Sequence, residues 1–236
     1  MKVAIMQPYF FPYIGYFQLM AWSDVFVLHD DVQYIKGGWV NRNRILMNGA
    51  DRTITFPVQK GAHELPINAR HYVDDKQARR DICNLVKQAY RKAPHFPEVF
   101  PLFEELLESA DRNVAHYNGN LARRIAQYLG IACRIVDSSA LEKDDSLAGE
   151  ARVLEICKRL GATDYTNPIG GTSLYHGDAF AQQGITLRFL EAQNMRYPQH
   201  GDSWVPFLSI IDVLMFNSVE ETRKLLGAYT LHAPSA

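Results

Sequence analysis

The first thirty residues constrain the fold more than any other part of the chain. Residues 2–6 read as a short buried strand and residues 24–29 (Asp-Val-Phe-Val-Leu-His) as a second, with a helical pattern over 16–22 between them. Two strands joined by a helix run in the same direction, so this βαβ opening implies a parallel sheet. The intervening Gln7-Pro8-Tyr9-Phe10-Phe11-Pro12 carries two prolines and must be a loop, because proline suits neither a helix interior nor a central strand. Parallel sheets bind ligands beyond the carboxyl ends of their strands, which here are Gln7-Pro8 and His29-Asp30-Asp31.

The rest of the chain extends that pattern. Asn48-Gly49 between 42–47 and 52–58 is a hairpin signal. Ile82, Leu85, Val86 and Ala89 share one helix face, as do Leu121, Ala122, Ile125 and Leu129 before Gly130, with helical clusters around Pro94, Pro97 and Pro101 between them. Alternation then resumes: strand 131–136, helix 150–160 before Gly161, strands 164–167 and 185–190, a helix from about Ile210, and a last helix over 219–226. The expected architecture is one α/β domain spanning 1–236, a Rossmann-like, mainly parallel sheet with a helical insertion near 72–128.

Composition narrows the function classes. Apolar residues make up 47% and charged residues 22%, the balance of a folded globular chain. The net charge of −1 excludes the basic excess of a duplex nucleic-acid reader, so any anionic ligand must be met by a few local groups. Cys83, Cys133 and Cys157 are odd in number and lie in apolar-patterned segments, which fits free core thiols and a cytoplasmic protein. The apolar run 3–6 is too short for a signal peptide, and 205–216, interrupted by Pro206 and Asp212, is too short to span a bilayer, so no membrane insertion is expected.

Five segments can carry chemistry. In the proline loop, Gln7, Tyr9, Phe11 and Tyr13 can wall a ring ligand, with Gly15 at a helix start that opens toward an anion; the plainer reading is a staple onto the core. His29, Asp30 and Asp31, with Gln33 close behind, can supply a general base or simply form a capped polar turn. Adjacent Asp30 and Asp31 point to opposite sides of an extended chain and so do not act as a pair. In Trp39-Val40-Asn41-Arg42-Asn43-Arg44, a strand puts Arg42 and Arg44 on one face, about 7 Å apart, suited to a diphosphate, and Trp39 can stack on a base or sugar; a solvated strand face is the alternative. Gly170-Gly171 after a strand reads as a turn whose backbone N–H groups can approach an anion, or as an ordinary turn. Ser209 and Asp212 match a capping box on an apolar helix, where Asp212 either caps or shares that end with a ligand. No His-x-x-x-His or Glu-x-x-His motif occurs, so no dedicated transition-metal site is expected.

Together these segments resemble the WbqC-like family, whose members begin Gln-Pro-x-Phe-x-Pro-x-x-Gly-Tyr. The matching residues are Gln7, Pro8, Phe10, Pro12, Gly15 and Tyr16, followed by Asp30 to Tyr34, Trp39 with Asn41 to Arg44, and Leu208 to Asp212. The resemblance implies a role in bacterial surface-polysaccharide (O-antigen) synthesis: transfer of an acyl or aminoacyl group to the amine of a nucleotide-linked sugar, that nucleotide sugar being the expected partner. His29, Asp30 or Asp31 would then take the proton of the attacking amine. The opening is also similar to that of the nucleotidylyltransferase and pantothenate synthetase superfamily, which implies an ATP- and Mg²⁺-dependent ligase as an alternative. Both histidines of that superfamily's His-x-Gly-His motif are absent, Tyr13-Ile14-Gly15-Tyr16 standing in its place. A third expectation is a non-catalytic binding module of a glycan-assembly complex. The acyl donor, any cofactor and the oligomeric state are not fixed by the sequence.

Overall fold

Alternation of apolar side chains along the first two strands sets the layering of the molecule. The computed structural model describes residues 1–193, 196–201 and 204–234. The chain opens with β1 (Lys2–Met6), α1 (Ile14–Trp22) and β2 (Val25–Leu28). An excursion follows, made of the hairpin β3 (Arg42–Met47) and β4 (Ala50–Thr55) and the helices α2 (Lys76–Tyr90), α3 (Phe96–Leu107) and α4 (Val114–Leu129). The chain then returns through β5 (Arg134–Asp137), α5 (Gly149–Leu160), β6 (Asp164–Pro168), α6 (Gly177–Ala181) and β7 (Thr186–Ala192). It closes with α7 (Ile210–Phe216), α8 (Val219–Leu226) and β8 (Tyr229–His232).

Six strands form one sheet in the order β5-β2-β1-β6-β7-β8, parallel except for β8, which pairs antiparallel to β7. The chain steps outward from β1 through β2 to β5, then crosses back to β6 and continues to β7. The order therefore reverses between β1 and β6, the place where open parallel sheets leave a crevice at their carboxyl ends. Val3, Ile5, Val25 and Val27 face one side and pack with Val153, Ile156 and Cys157 of α5 and Phe180 of α6. Ala4, Phe26 and Leu28 face the other side and join one apolar cluster with α1, the hairpin, α2 to α4, α7 and α8.

Local chemistry fixes the helix ends. Asp75 accepts hydrogen bonds from the N–H groups of Gln77 and Ala78 at the start of α2, and Asn113 does the same for α4. Gly130 and Gly161 close α4 and α5 with left-handed backbones (φ 68° and 69°) that other residues adopt at a cost. The expected capping box at Ser209 does not form. The Ser209 hydroxyl accepts from Ile211 N and donates to Phe11 O at 2.7 Å, and the chain forms a capping box on α8 instead, between Ser218 and Glu221. The last helix has the expected bounds, and past it the chain adds β8, a strand no sequence pattern announced, whose state comes from pairing with β7 rather than from its own four residues. Gly170 and Gly171 lie in a 3₁₀-helix (Ile169–Leu174), not a turn.

All three cysteines are free; Cys157 is buried and Cys83 and Cys133 are half-buried. Among the described residues no helix is long and apolar enough to cross a membrane.

A candidate binding crevice at the carboxyl edge of the sheet

The loop leaving β1 holds a strained shape that its neighbours dictate. Phe11 has φ 43°, unfavourable for a bulky residue, and its carbonyl accepts from Asn43 Nδ2 (2.7 Å) and Ser209 Oγ (2.7 Å). Asn43 Nδ2 also donates to Phe10 O at 3.0 Å. Phe10 and Phe11 consequently turn into the core, Phe11 packing on Phe103, so Phe11 does not wall a ligand. Tyr9 and Tyr13 are half-buried, packed against the core on one side and lining a cavity on the other. Gln7 takes part through its carbonyl, which accepts from the Tyr16 hydroxyl at 3.0 Å. A Cβ at Gly15 would run into the Tyr13 ring, so glycine there lets that ring lie flat on the start of α1. Tyr9, Pro12, Tyr13, Trp39, Asn43, Arg44 and Phe207 line a cavity of about 270 Å³. Burial raises the pKa of both tyrosines, Tyr13 to about 12, so each phenol keeps its proton and can donate.

Trp39 is 40% exposed, and the guanidiniums of Arg42 and Arg44 lie 5.6 and 5.5 Å from its ring centroid. The two arginines have different partners. Arg42 folds back on the preceding loop, donating from Nε to Gly38 O at 3.2 Å and from its terminal nitrogen to Gly37 O. Arg44 reaches the cavity, pairs with exposed Asp51 at 3.5 Å and donates to Phe207 O at 3.3 Å. Its Nε has no hydrogen-bond partner among the described residues. The expected two-arginine grip is therefore a single arginine at the cavity, with Arg42 bracing the loop. Asn41 is buried and engaged at both ends of its amide, accepting from Tyr34 Oη and donating to Phe56 O, both at 2.9 Å. Phe207 completes the rim with φ 55° and 57% exposure, an apolar side chain held out toward solvent by a strained backbone.

One strand over, at the end of β2, the three candidate proton acceptors separate. The Asp30 carboxylate is buried and accepts from Ser139 N (2.9 Å) and Oγ (2.5 Å), which ties β2 to the segment after β5. Asp31 Oδ2 meets Lys143 Nζ at 2.6 Å and Arg152 at 2.7 Å. Burial pushes its pKa up, but the Lys143 and Ser138 hydrogen bonds and the Arg152 charge together prevail and hold it below the usual carboxylate value. His29 Nε2 lies 3.9 Å from Asp31 Oδ1 and has no hydrogen-bond partner among the described residues. Burial first, then the nearby Arg152 and Lys143 charges, lower its pKa to about 4 despite Asp31, so the imidazole is neutral. Gln33 is exposed and points away, donating to His63 Nδ1 at 2.8 Å.

The remaining candidates fall on the two flanks. Gly171 packs so closely on the Asn167 side-chain oxygen that a Cβ would collide with it, whereas Gly170 is open. Asp212 is fully buried and accepts from Tyr90 Oη (2.9 Å), Tyr197 Oη (2.7 Å) and Gln199 Nε2 (2.7 Å), which anchors the segment leading to Phe207. Among the described residues no three His, Cys, Asp or Glu side chains are grouped to hold a metal ion.

The model of the WbqC-like protein family matches residues 7–224, from the first residue of the crevice loop into α8. The chain belongs to the WbqC-like protein family. A relative in Mycobacterium tuberculosis (strain ATCC 25618 / H37Rv), "Uncharacterized protein Rv1507c", is 32% identical over 219 residues, 92% of this chain and 93% of its own. No solved structure matches the chain.

Three residues that shape the candidate site of this WbqC-like protein did not stand out in the sequence. Lys143 sits in a charged stretch, Leu141-Glu-Lys-Asp-Asp145, that looks like solvated surface. Arg152 carried a usable signal: a cation near the start of a helix opposes the helix dipole and needs a local reason. Phe207 follows Pro206 in a stretch without periodicity, and its exposure arises only from tertiary structure.

Proposed function

We propose that this WbqC-like protein is an N-acyl- or aminoacyl-transferase acting on a nucleotide-linked amino sugar in bacterial surface-polysaccharide synthesis, built on a Rossmann-like scaffold of one domain. The observation that carries the reading is the cavity of Tyr9, Tyr13, Trp39, Arg44 and Phe207 beside the point where strand order reverses. Stacking faces, phenol donors and a guanidinium with an unengaged Nε suit a ring joined to phosphate. At about 270 Å³ the cavity is near the lower end for small-molecule pockets, so it takes one ring system while the rest of the ligand follows the open crevice.

The chemistry then runs along the edge toward β2. The sugar amine attacks the acyl carbon, an amide bond forms, and the bond to the acyl carrier breaks. His29 passes the amine proton on without retaining it, since a ring with a pKa of about 4 is a weak base. It does so because Asp30 is engaged by Ser139 and Asp31 by Lys143 and Arg152. Asp31, 3.9 Å away, stabilises the imidazolium while the proton is in transit. The leaving carrier takes the proton up.

Calorimetric titration with UDP- and TDP-linked amino sugars tests the binding step. Arg44→Gln is expected to weaken affinity about tenfold or more, the worth of one charge-assisted contact. Equal affinity in the variant removes Arg44 from the site. Pyrophosphate release on adding ATP and a carboxylic acid would instead favour the ligase chemistry.

A further inference from the structure

A buried pair of cations lies outside the aromatic cavity, on the opposite layer of the sheet. The Lys143 side chain is 2% exposed and that of Arg152 is 11% exposed, an unusual depth for either residue. Each touches two carboxylates. Asp31, 13% exposed, belongs to the interior, but Asp145 is 80% exposed and reaches each cation at only 3.4 Å. Long contacts to an exposed carboxylate are weak, because water screens them and competes for the same atoms. The solvent-facing side of the pair is therefore held loosely, and an anion from solution can reach the place that Asp145 occupies.

Two further observations point to an anion there. Arg152 Nε is buried without a hydrogen-bond partner among the described residues, so the guanidinium keeps an unused donor. Arg152 is the fourth residue of α5, a twelve-residue helix whose first turn has no capping side chain. Its free N–H groups add positive potential at the same edge of the sheet.

We propose that Lys143, Arg152 and the start of α5 form a phosphate-binding subsite for a second, phosphate-bearing substrate, and that Asp145 occupies it until that substrate arrives. The assignment to a second substrate rests on the aromatic cavity holding the nucleotide sugar. The two positions share no lining residue and lie on different layers: α5 packs with Val3, Ile5 and Val27, whereas Tyr9 and Tyr13 pack with the cluster on the other face. Both lie at the carboxyl ends of the central strands, with His29 and Asp31 at the end of β2 beside the cation pair.

The test is titration of the full chain with inorganic phosphate at constant ionic strength, followed by calorimetry. Asp145→Asn removes the competitor and is expected to tighten phosphate binding roughly two- to fivefold, the range of an exposed ion pair. Arg152→Gln and Lys143→Met are each expected to weaken it about tenfold or more. Nucleotide-sugar affinity in Asp145→Asn is expected to stay at the wild-type value, so failure here and failure of the transferase reading are told apart. Saturation with nucleotide sugar is expected to leave phosphate affinity intact. Unaltered or weaker binding in Asp145→Asn overturns the subsite, and displacement of phosphate by nucleotide sugar overturns its assignment to a second substrate. Asp145 is exposed, so that variant folds even if a buried cation proves necessary for folding.

Discussion

His29 is held neutral by its surroundings, and this makes the stability of the whole protein depend on pH. Its pKa falls from 6.5 to about 4 on folding, so between these values the folded state binds fewer protons than the unfolded state. The stability from this group is fully present above pH 6.5 and is lost as pH falls through the window to about 4. A shift of this size corresponds to about 3 kcal/mol. Asp31 acts in the same sense but lower: its depressed pKa contributes stability above the ordinary value of 3.8, which is lost on further acidification. Buried Asp212 acts in the opposite sense, because burial raises its carboxyl above 3.8 and its contribution fades as pH rises. The fall in stability on acidification through this window therefore comes from the histidine against that offset. Urea midpoints measured at pH 7, 6, 5 and 4.5 are expected to fall steadily in the wild type. In His29→Gln the fall should be lost or clearly shallower, because glutamine has nothing to titrate. The same slope in both proteins would show that His29 meets no larger penalty for charge when folded than when unfolded.

At the scale of elements, the crevice depends on a loop that is shaped from outside itself. Asn43, in β3, holds two consecutive carbonyls of the β1 loop, and Ser209, before α7, holds the second of them. Asn43→Ala leaves Phe10 O without its donor and relaxes Phe11 from its left-handed backbone. The expected cost is about 1–3 kcal/mol of stability, with weaker nucleotide-sugar binding because Tyr9 and Tyr13 lose their fixed positions. Thermal denaturation and calorimetry would measure the two effects, and a variant of unchanged stability would show that the loop holds its own shape. This dependence also explains what the sequence could reveal. The buried runs of β1 and β2 and the faces of α2, α4, α5 and α8 are local patterns, and the structure has them within a few residues of expectation. The side chains Asn41, Asn43 and Phe11 carry no such local mark. Asn41 reads as a ligand contact until Tyr34 and Phe56 are seen to occupy it, and Phe11 reads as a stacking surface until Asn43 and Ser209 turn it inward. The four residues of β8 were likewise invisible, since only β7 makes them a strand. Lys143 and Arg152 meet Asp31 across 112 and 121 positions of chain, a pairing that no sequence spacing reports.

For the whole molecule the question is whether the hairpin and helices between β2 and β5 fold with the sheet or apart from it. Their contacts argue for one unit. The sheet face made by Ala4, Phe26 and Leu28 belongs to the same apolar cluster as Ile45 and Ile54 of the hairpin and Leu121 and Ile125 of α4. A buried polar network crosses the same boundary. Asn118 of α4 donates to Pro8 O at 3.0 Å and to Val40 O at 2.6 Å, while Tyr72 Oη lies 3.0 Å from Val40 O and 2.9 Å from Asn118 Oδ1 and has one proton to give to either. Opening the excursion alone would expose that apolar face and leave Pro8 O without its donor, so the partly unfolded state is disfavoured on both counts. A single cooperative transition is expected on this basis. Circular dichroism follows mainly the helices, many of them in the excursion, and Trp22 on α1 can report the sheet once Trp39 and Trp204 are replaced by phenylalanine. The two signals should give one urea midpoint, and Asn118→Ala should lower both together. A circular dichroism midpoint well below that of Trp22 would mean that the excursion unfolds independently. The crevice, which takes Tyr9 from the sheet side and Trp39 and Arg44 from the hairpin side, would then be assembled across a boundary that can open.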